Sequence, residues 1–226
     1  MKITFLGHAS LLVELKDHTI LVDPFITGNP MVPDTLSIKQ LKPDYILLTH
    51  AHQDHVLDVE EIAKHSNPKI ISNYEIATYF EKKGLRVHPM NHGGSWSFSF
   101  GMVKYVQAVH TSSFADGSYG GQPGGFILSA EGKTVYIAGD TALTIDMKLI
   151  PMQFSLDLAV LPIGDNFTMG IEDAVLAAGF VECSKILGYH YDTFGYIEID
   201  HKKAKETFQK AGKELNLLAI GESMNI

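Results

Sequence analysis

The sequence predicts a mixed α/β (α+β) fold in which two β-sheets pack face to face and helices cover both outer faces, a four-layer αββα sandwich. Two successive regions of the chain share one layout, each opening with short strands and continuing with alternating strands and helices. A segment rich in Gly, Ser and Asp, residues 111–125, separates them and is expected to be a mobile loop near the site. Because no fixed-period repeat or low-complexity linker divides the chain, residues 1–226 are predicted to form one domain with two halves.

The first half opens with strands and continues with strand and helix alternation. Short apolar or alternating runs predict strands over residues 2–6, 10–15 and 19–22, and a turn-rich loop follows from Asp23. The fully apolar run 45–48 is typical of a strand buried on both faces. The remaining elements of this half are predicted to be helices at 59–64 and 74–83, the second capped by Asn73 and ended by Gly84, and strands at 69–71, 87–89, 95–100 and 102–109.

The second half repeats the pattern. Its predicted elements are strands at 126–129 and 134–138, a helix after Asp140 that runs to Ile150, a strand at 158–161, a helix at 171–181, a strand at 184–188, a helix at 202–211 and a closing strand at 215–220. The single cysteine, Cys183, lies close to the end of a helix, where a small packing residue is expected rather than a nucleophile. Trp96 and the phenylalanines are assigned to the core.

A stretch rich in histidine, Thr49-His50-Ala51-His52-Gln53-Asp54-His55-Val56-Leu57-Asp58, directly follows the buried strand of the first half. In an extended segment alternate side chains share a face, so His50 and His52 point the same way. The following turn can bring Asp54 and His55 to a neighbouring point. Because clustered ionisable groups usually need a partner or a metal, the stretch predicts a metal site with room for two adjacent ions rather than a solvated polar loop.

Three later residues share one context, since His110, Asp140 and His190 each follow an apolar strand. A strand end projects its next side chain into the crevice at the sheet edge, where α/β sheets tend to place their sites. Together with the histidine stretch they supply five histidines and two aspartates. That set suits two divalent ions with nitrogen and oxygen ligands.

These motifs resemble those of the metallo-β-lactamase superfamily. His50-Ala51-His52-Gln53-Asp54-His55 matches its His-x-His-x-Asp-His signature, and His110, Asp140 and His190 come in the order that the family uses. Asp165 stands where the family more often has glycine, a difference expected to affect the pocket wall rather than metal binding. Further motifs are similar to a compact branch of predicted metal-dependent hydrolases related to ascorbate-phosphate lactonases: Leu6-Gly7-His8-Ala9-Ser10, Asp23-Pro24-Phe25, Gly139-Asp140-Thr141, Pro162-Ile163-Gly164, Phe167-Thr168-Met169-Gly170 and Asp173-Ala174.

The resemblance implies the αββα fold and two divalent metal ions. One ion would be held by His50, His52 and His110, and the other by Asp54, His55 and His190, with Asp140 bridging the two. Zinc is the default, although manganese, nickel or iron suit the same ligands.

Two residues are predicted to be catalytic. Asp54 would orient the attacking hydroxide or receive its proton. The resemblance implies that His8 approaches the site as a substrate contact or proton donor, and the alternative is a structural turn histidine. Asp23 either hydrogen-bonds a ligand histidine or caps a loop.

The chemistry of such a centre predicts hydrolysis. Two ions roughly 3.5 to 4 Å apart lower the pKa of a bridging water, and the resulting hydroxide would attack a small ester, lactone or phosphoester. The alternative is an iron-dependent oxidoreductase or thiol dioxygenase on the same scaffold. Retention of Asp54, His55 and His190 favours the dinuclear hydrolase, since mononuclear variants do not need the full set. A binding protein with a relict site is disfavoured because every proposed ligand is present.

Composition limits the partners and the compartment. The formal net charge is −8 and Lys and Arg are not clustered, which argues against a nucleic-acid partner. Neither a long apolar run nor a secretory signal is found, so the sequence predicts no membrane span, and a cytoplasmic location is expected. A small-molecule substrate is the expected partner, and the resemblance allows a homo-oligomer. The shape of the pocket depends on the loops at residues 27–36, 112–125 and 165–170. Their conformations cannot be read from the sequence, so the sequence does not identify the substrate.

Overall fold

Fourteen β-strands and five α-helices make up the chain in a computed structural model that describes residues 1–226. The strands are β1 (Lys2–Gly7), β2 (Ser10–Glu14), β3 (Thr19–Val22), β4 (Tyr45–Leu47), β5 (Lys69–Asn73), β6 (Val87–Met90), β7 (Ser95–Phe98), β8 (Gly101–Gln107), β9 (Gly124–Ala130), β10 (Lys133–Ile137), β11 (Leu158–Pro162), β12 (Lys185–Tyr189), β13 (Glu214–Asn216) and β14 (Ser223–Asn225). The helices are α1 (Gln53–Val56), α2 (Val59–Ser66), α3 (Tyr74–Glu81), α4 (Ile171–Phe180) and α5 (His201–Lys210). Short 3₁₀ helices cover Ile38–Gln40, Ile145–Leu149 and Gly195–Ile197.

The strands form two seven-stranded sheets with matching order. The first runs β14-β1-β2-β3-β4-β5-β6 and the second β13-β12-β11-β10-β9-β8-β7. In each half the leading strands pair antiparallel, and four strands then pair in parallel: β3 to β6 in the first sheet and β10 to β13 in the second. Parallel strands bring their C-terminal ends to one edge, which is where the site is built.

Apolar side chains fill the space between the sheets. Leu47 and Ile71 of the first sheet belong to the same buried cluster as Val135 and Val160 of the second. Burying a side chain of this size contributes roughly 1.5 to 3 kcal/mol. Helices α2 and α3 pack on the outer face of the first sheet, and α4 and α5 on that of the second. The predicted four-layer αββα architecture is confirmed, and no helix of the structure is long and apolar enough to cross a bilayer.

Asn73 links a helix start to the glycine-rich loop near the site. Its side-chain oxygen accepts a hydrogen bond from Ile76 N at 2.8 Å, which caps α3 as predicted. Its amide nitrogen donates to the carbonyl oxygens of Gly120 at 2.8 Å and Gln122 at 3.1 Å. One short polar side chain therefore holds the loop against the first sheet.

Several predicted elements differ from the structure. The helix expected from Asp140 to Ile150 is only the 3₁₀ helix Ile145–Leu149, because the segment between Thr144, which caps it, and Pro151 is too short for a stable α-helix and Pro151 offers no N–H. The last strand of the first sheet, β14, was not predicted, and β13 ends earlier than the predicted 215–220. Strand β8 stops at Gln107, since Val109 N instead donates to Thr141 Oγ1 at 3.0 Å.

Burial also corrects one assignment and supports another. Trp96 is 56% exposed on β7, the edge strand of the second sheet, and Phe167 and Phe194 are exposed in loops, so the assignment of these three rings to the core was wrong. Cys183 is buried between α4 and β12, in keeping with the packing role predicted for it.

Candidate metal centre

All seven predicted ligands lie at one edge of the sandwich, where the parallel strands end. The histidine stretch follows β4 of the first sheet and supplies His50, His52, Asp54 and His55. The second sheet supplies the remaining three: His110 after β8, Asp140 after β10 and His190 after β12. Residues far apart in sequence meet here because the strands that precede them, in both sheets, end at the same edge of the sandwich.

Three imidazoles form the first group of donor atoms. The ligand nitrogens of His50, His52 and His110 lie within 4.8 Å of one another, and His50 Nε2 is 3.0 Å from His52 Nδ1. Nitrogens that share a tetrahedral zinc ion, at bond lengths of 2.0 to 2.1 Å, are about 3.3 Å apart. His50 and His52 are therefore spaced as ligands of one ion would be, and His110 lies close enough to join them.

The second group consists of Asp54, His55 and His190, joined by His8, with donor atoms that also lie within 4.8 Å of one another. Asp140 stands between the two groups. Its Oδ2 is 3.2 Å from His55 Nε2 and 3.0 Å from His190 Nε2. The same oxygen lies 3.8 Å and 3.6 Å from Nε2 of the two first-group histidines, those at positions 50 and 110.

Unpartnered atoms show that this centre fits a cation. His55 Nε2 and Asp140 Oδ1 are buried without a hydrogen-bond partner. Leaving a buried polar atom unsatisfied costs about 1 to 3 kcal/mol, which a bound ion would relieve. The donors are all nitrogen and oxygen, so the set suits zinc and neighbouring first-row metals.

Burial and charge set the protonation of the ligands. Burial lowers the pKa of His50, His52 and His110, which keeps these imidazoles neutral at pH 7, the state in which they coordinate a metal. Burial also opposes a charge on His55, yet the carboxylates of Asp140 and Asp23 raise its pKa well above the ordinary value. A positive charge at this point is therefore strongly favoured by the protein around it.

Asp23 is fully buried behind the centre and hydrogen-bonds His55. His55 Nδ1 donates to its Oδ2 at 2.9 Å, and Thr49 donates to its two oxygens through N at 2.8 Å and through Oγ1 at 2.6 Å. Of the two roles that the sequence left open for Asp23, the structure shows the bond to a histidine of the centre. The imidazole is thereby oriented with Nε2 towards Asp140.

His8 lies beneath Asp54 rather than in the wall of the cavity. It is 1% exposed, with Nε2 at 3.0 Å from Asp54 Oδ2 and Nδ1 at 2.9 Å from Thr193 Oγ1. Burial, reinforced by the neighbouring His190, lowers its pKa to about 4. The structure thus places His8 where it can hold or exchange a proton with Asp54, without contact with solvent.

Close backbone contacts beside the proposed ligands require glycine at two positions of the sequence motifs, 139 and 164. Gly139, just before Asp140, has φ +69° and its missing Cβ would lie 2.8 Å from Gly124 O. At Gly164 a Cβ would lie 2.2 Å from His190 O. Each glycine lets a strand end approach closely enough to place the ligand beside it.

A cavity of about 290 Å³ opens over the centre. Its walls include Thr111, Phe167 and Phe194, none of which the sequence predicted as site residues. Phe167 occurs in a quoted motif and Phe194 is four residues beyond His190, so their proximity to motifs was the available signal. A larger cavity of about 380 Å³ lies between Lys104, Tyr136 and neighbouring residues, but contains none of the metal-centre residues, so the smaller cavity is the functional candidate. The full lining of the smaller one is His52, Asp54, His110, Thr111, Asp140, Phe167, His190 and Phe194.

Comparison with known proteins identifies the family of this chain. Residues 18–191 match the model of the beta-lactamase superfamily domain. The chain belongs to this superfamily. A protein of Christiangramia forsetii named UPF0173 metal-dependent hydrolase is 66% identical over 226 residues and covers 100% of both chains. YtkL of Bacillus subtilis, also named a UPF0173 metal-dependent hydrolase, is 46% identical over 231 residues, again with 100% of both chains covered.

A similar protein with a solved structure has the same fold. Igni18, described as a novel metallo hydrolase from the hyperthermophilic archaeon Ignicoccus hospitalis, has a TM-score of 0.88 and 33% identity, over 99% of this chain and 97% of that one. The superfamily resemblance seen in the histidine motif is confirmed. Membership extends to the UPF0173 group, since identity to its proteins runs the whole length of the chain.

Proposed function

We propose that this protein is a dinuclear metal-dependent hydrolase that cleaves a small ester, lactone or phosphoester. The observation that carries the proposal is the position of Asp140 Oδ2, between 3.0 and 3.8 Å from four imidazole nitrogens that belong to two separate groups. A centre for one ion would need only one of those groups. The names of its relatives support metal-dependent hydrolysis as the general reaction.

The two groups divide the ligands. His50, His52 and His110 would hold one ion, Asp54, His55 and His190 the other, and Asp140 would be shared. Zinc is the metal that this donor set suits by default, with manganese, nickel and iron as alternatives. When bound, such ions supply a coordinated water of lowered pKa and polarise the oxygen of the scissile group.

Asp54 and His8 provide the proton chemistry of the proposed reaction. The Asp54 side chain is 28% exposed and lines the cavity, so it can receive the proton of the attacking water. Burial opposes its charge, but the hydrogen bond from His8 and the nearby His55 outweigh burial and hold its pKa below the ordinary value. Asp54 is therefore ionised at neutral pH. His8 positions the carboxylate through the Nε2 to Oδ2 contact and lies within reach of the transferred proton.

Metal analysis combined with a substrate panel tests the proposal. Purified protein should contain close to two transition-metal ions per chain, and Asp140→Ala should lose both metal and hydrolysis of lactones, esters or phosphodiesters. Asp17→Ala, at an exposed turn between β2 and β3, is the matched control. Full activity in metal-free protein would refute the proposal. Oxygen consumption by the iron-loaded protein would favour the alternative of an iron-dependent oxidoreductase or thiol dioxygenase.

A further inference from the structure

Two exposed phenylalanines stand at the opening of the cavity over the metal centre. Phe167 is 51% exposed and Phe194 is 37% exposed, and both line the cavity. Tyr196, 78% exposed, lies edge-on to Phe167 with ring centroids 6.3 Å apart. Large apolar side chains left open to solvent beside a cavity are typical of a surface that binds an apolar partner or ligand.

The loop before Phe167 holds this ring in place through an unusual backbone. Asp165 and Asn166 have φ of +62° and +51°, in the left-handed region that residues other than glycine seldom adopt. Asp165 N donates to Met169 O at 3.0 Å, and Asp165 Oδ1 accepts from Asn166 N at 2.7 Å. The turn is therefore closed on itself and presents Phe167 outward.

The loop before Phe194 is built in the same way. His190 and Asp192 have φ of +55° and +60°. Asp192 N donates to Ile197 O at 2.8 Å, and the Asp192 carboxylate accepts from Ile199 N at 3.0 Å. Phe194 itself is edge-on to His8, with ring centroids 5.4 Å apart. Left-handed conformations persist only where the surrounding structure holds them, and the hydrogen bonds of these two turns hold both loops beside the cavity.

The charge and the volume of the cavity restrict the kind of ligand that it can bind. None of the eight lining residues is Lys or Arg, and the charged carboxylates among them are Asp54 and Asp140. Sites that recognise phosphate groups usually provide Arg or Lys side chains as partners. The volume of about 290 Å³ is at the lower end of the range for small-molecule pockets. The protein wall of this cavity therefore supplies no cationic side chain for a charged group, so only the proposed ions could offset such a charge, and its two phenylalanines favour a small ligand with an apolar part.

We infer that the substrate is an uncharged carboxylic ester or lactone that bears a flat apolar group, and that this group packs against Phe167 and Phe194. The inference rests on the proposed hydrolytic function and names its substrate class. Water adds to the acyl carbon, the bond between that carbon and the alkoxy oxygen breaks, and the alkoxy oxygen takes up a proton. The products are a carboxylate and an alcohol, joined in one hydroxy acid when the substrate is a lactone, and one proton is released.

Steady-state kinetics on a matched pair of esters test the inference. Methyl phenylacetate and methyl acetate share a leaving group and differ in the phenyl ring, and bis(p-nitrophenyl) phosphate serves as the anionic probe. The metal-loaded wild-type protein should prefer methyl phenylacetate in kcat/KM by about tenfold or more, and Phe167→Ala or Phe194→Ala should reduce that preference about tenfold. Trp96→Ala, which removes an exposed ring on the far edge strand β7, should keep the wild-type preference.

The outcomes separate this inference from the proposed function. Metal content measured on each variant shows whether the centre is intact. Hydrolysis of the phosphodiester in preference to both esters, or an ester preference that neither phenylalanine variant alters, overturns the substrate assignment while the hydrolase remains. Absence of hydrolysis of all three probes by protein that holds two ions overturns both.

Discussion

Hydrogen bonds to Thr49 and Asp23 determine which nitrogen of His50 and of His55 faces the centre. Thr49 has one hydroxyl hydrogen, and it is donated to Asp23 Oδ2 at 2.6 Å. The contact of 3.1 Å between Thr49 Oγ1 and His50 Nδ1 must then use the hydrogen of the imidazole. His50 Nε2 is left with a free lone pair, as metal coordination requires. Asp23 thus orients two histidines, His55 directly and His50 through Thr49.

The substitution Asp23→Asn tests whether Asp23 orients these two histidines. The substitution keeps the shape of the side chain but removes the charge that faces His55 Nδ1, so we expect metal affinity to fall by about 10- to 100-fold. Titration against a competing chelator measures the change. Asp17→Asn at an exposed turn is the control, and equal affinity in both variants would show that Asp23 has only a loop-capping role.

His8→Asn tests the support of Asp54. The buried contact between His8 Nε2 and Asp54 Oδ2 is lost, so the carboxylate loses its orientation and we expect kcat to fall by about 10- to 100-fold. Metal content should stay close to two ions per chain if His8 acts on Asp54 and not as a ligand. Thr193→Ser retains the hydroxyl that contacts His8 Nδ1 and should retain most of kcat. Loss of one ion in the His8 variant would instead make His8 a ligand.

At the level of secondary-structure elements, the centre depends on how closely neighbouring strand ends approach. The segment after β11 passes so near the segment after β12 that Gly164 has no room for a side chain beside His190 O. Backbone atoms cannot move aside as the tip of a flexible side chain can. The position of His190, a proposed ligand, therefore depends partly on the absence of a side chain at Gly164 in the neighbouring segment.

Gly164→Ala should disturb this arrangement. A Cβ at 2.2 Å from His190 O forces the two segments apart, and overpacking of this kind costs typically about 1 to 3 kcal/mol. We expect lower stability in urea and reduced metal content. Gly179→Ala in α4 is the control, because its Cβ meets no atom within 4 Å and alanine is the better helix former by about 0.5 to 1 kcal/mol. Similar behaviour of the two variants would contradict the role given to Gly164.

Predictability from sequence also varied by element. The strand 45–48 was predictable because a continuous apolar run depends only on its own residues. Strand β14 was not, since Ser223–Asn225 has no strand pattern and is ordered by pairing with β1. Trp96 was misassigned because a sequence does not show which strand is an edge strand.

For the whole molecule, the main consequence is that the two sheets share the candidate centre. The first sheet supplies the histidine stretch, and the second supplies His110, Asp140 and His190. Bound ions would therefore join the two sheets at one edge. A specific motif and three strand ends were enough to predict that the seven proposed ligands would lie together. The left-handed turns before Phe167 and Phe194 were harder to predict, since Asp165 in a glycine position was the single sequence signal for them.

Removal of metal should therefore lower the stability of the entire fold. Ions present at about 100 times their dissociation constant stabilise the folded state by about 2.7 kcal/mol. For a chain of this size the Tm should fall by about 5 to 10 °C when a chelator is added. Calorimetry with and without chelator measures the shift, and Asp140→Ala should show little response. An equal Tm in both conditions would refute the role of metal in joining the sheets.

The rate at which the buried Cys183 is chemically labelled measures slow local opening of the second half of the chain. It is the one thiol of the chain, its Sγ donates to Lys185 O at 3.2 Å, and burial raises its pKa. A thiol reagent can therefore modify the native protein only when the packing between α4 and β12 opens. Cys183 lies away from the proposed ligands, so its labelling rate measures local opening at a distance from the centre. A slower rate in the metal-loaded protein than in the metal-free protein would show that bound ions reduce opening of the outer helical layer as well.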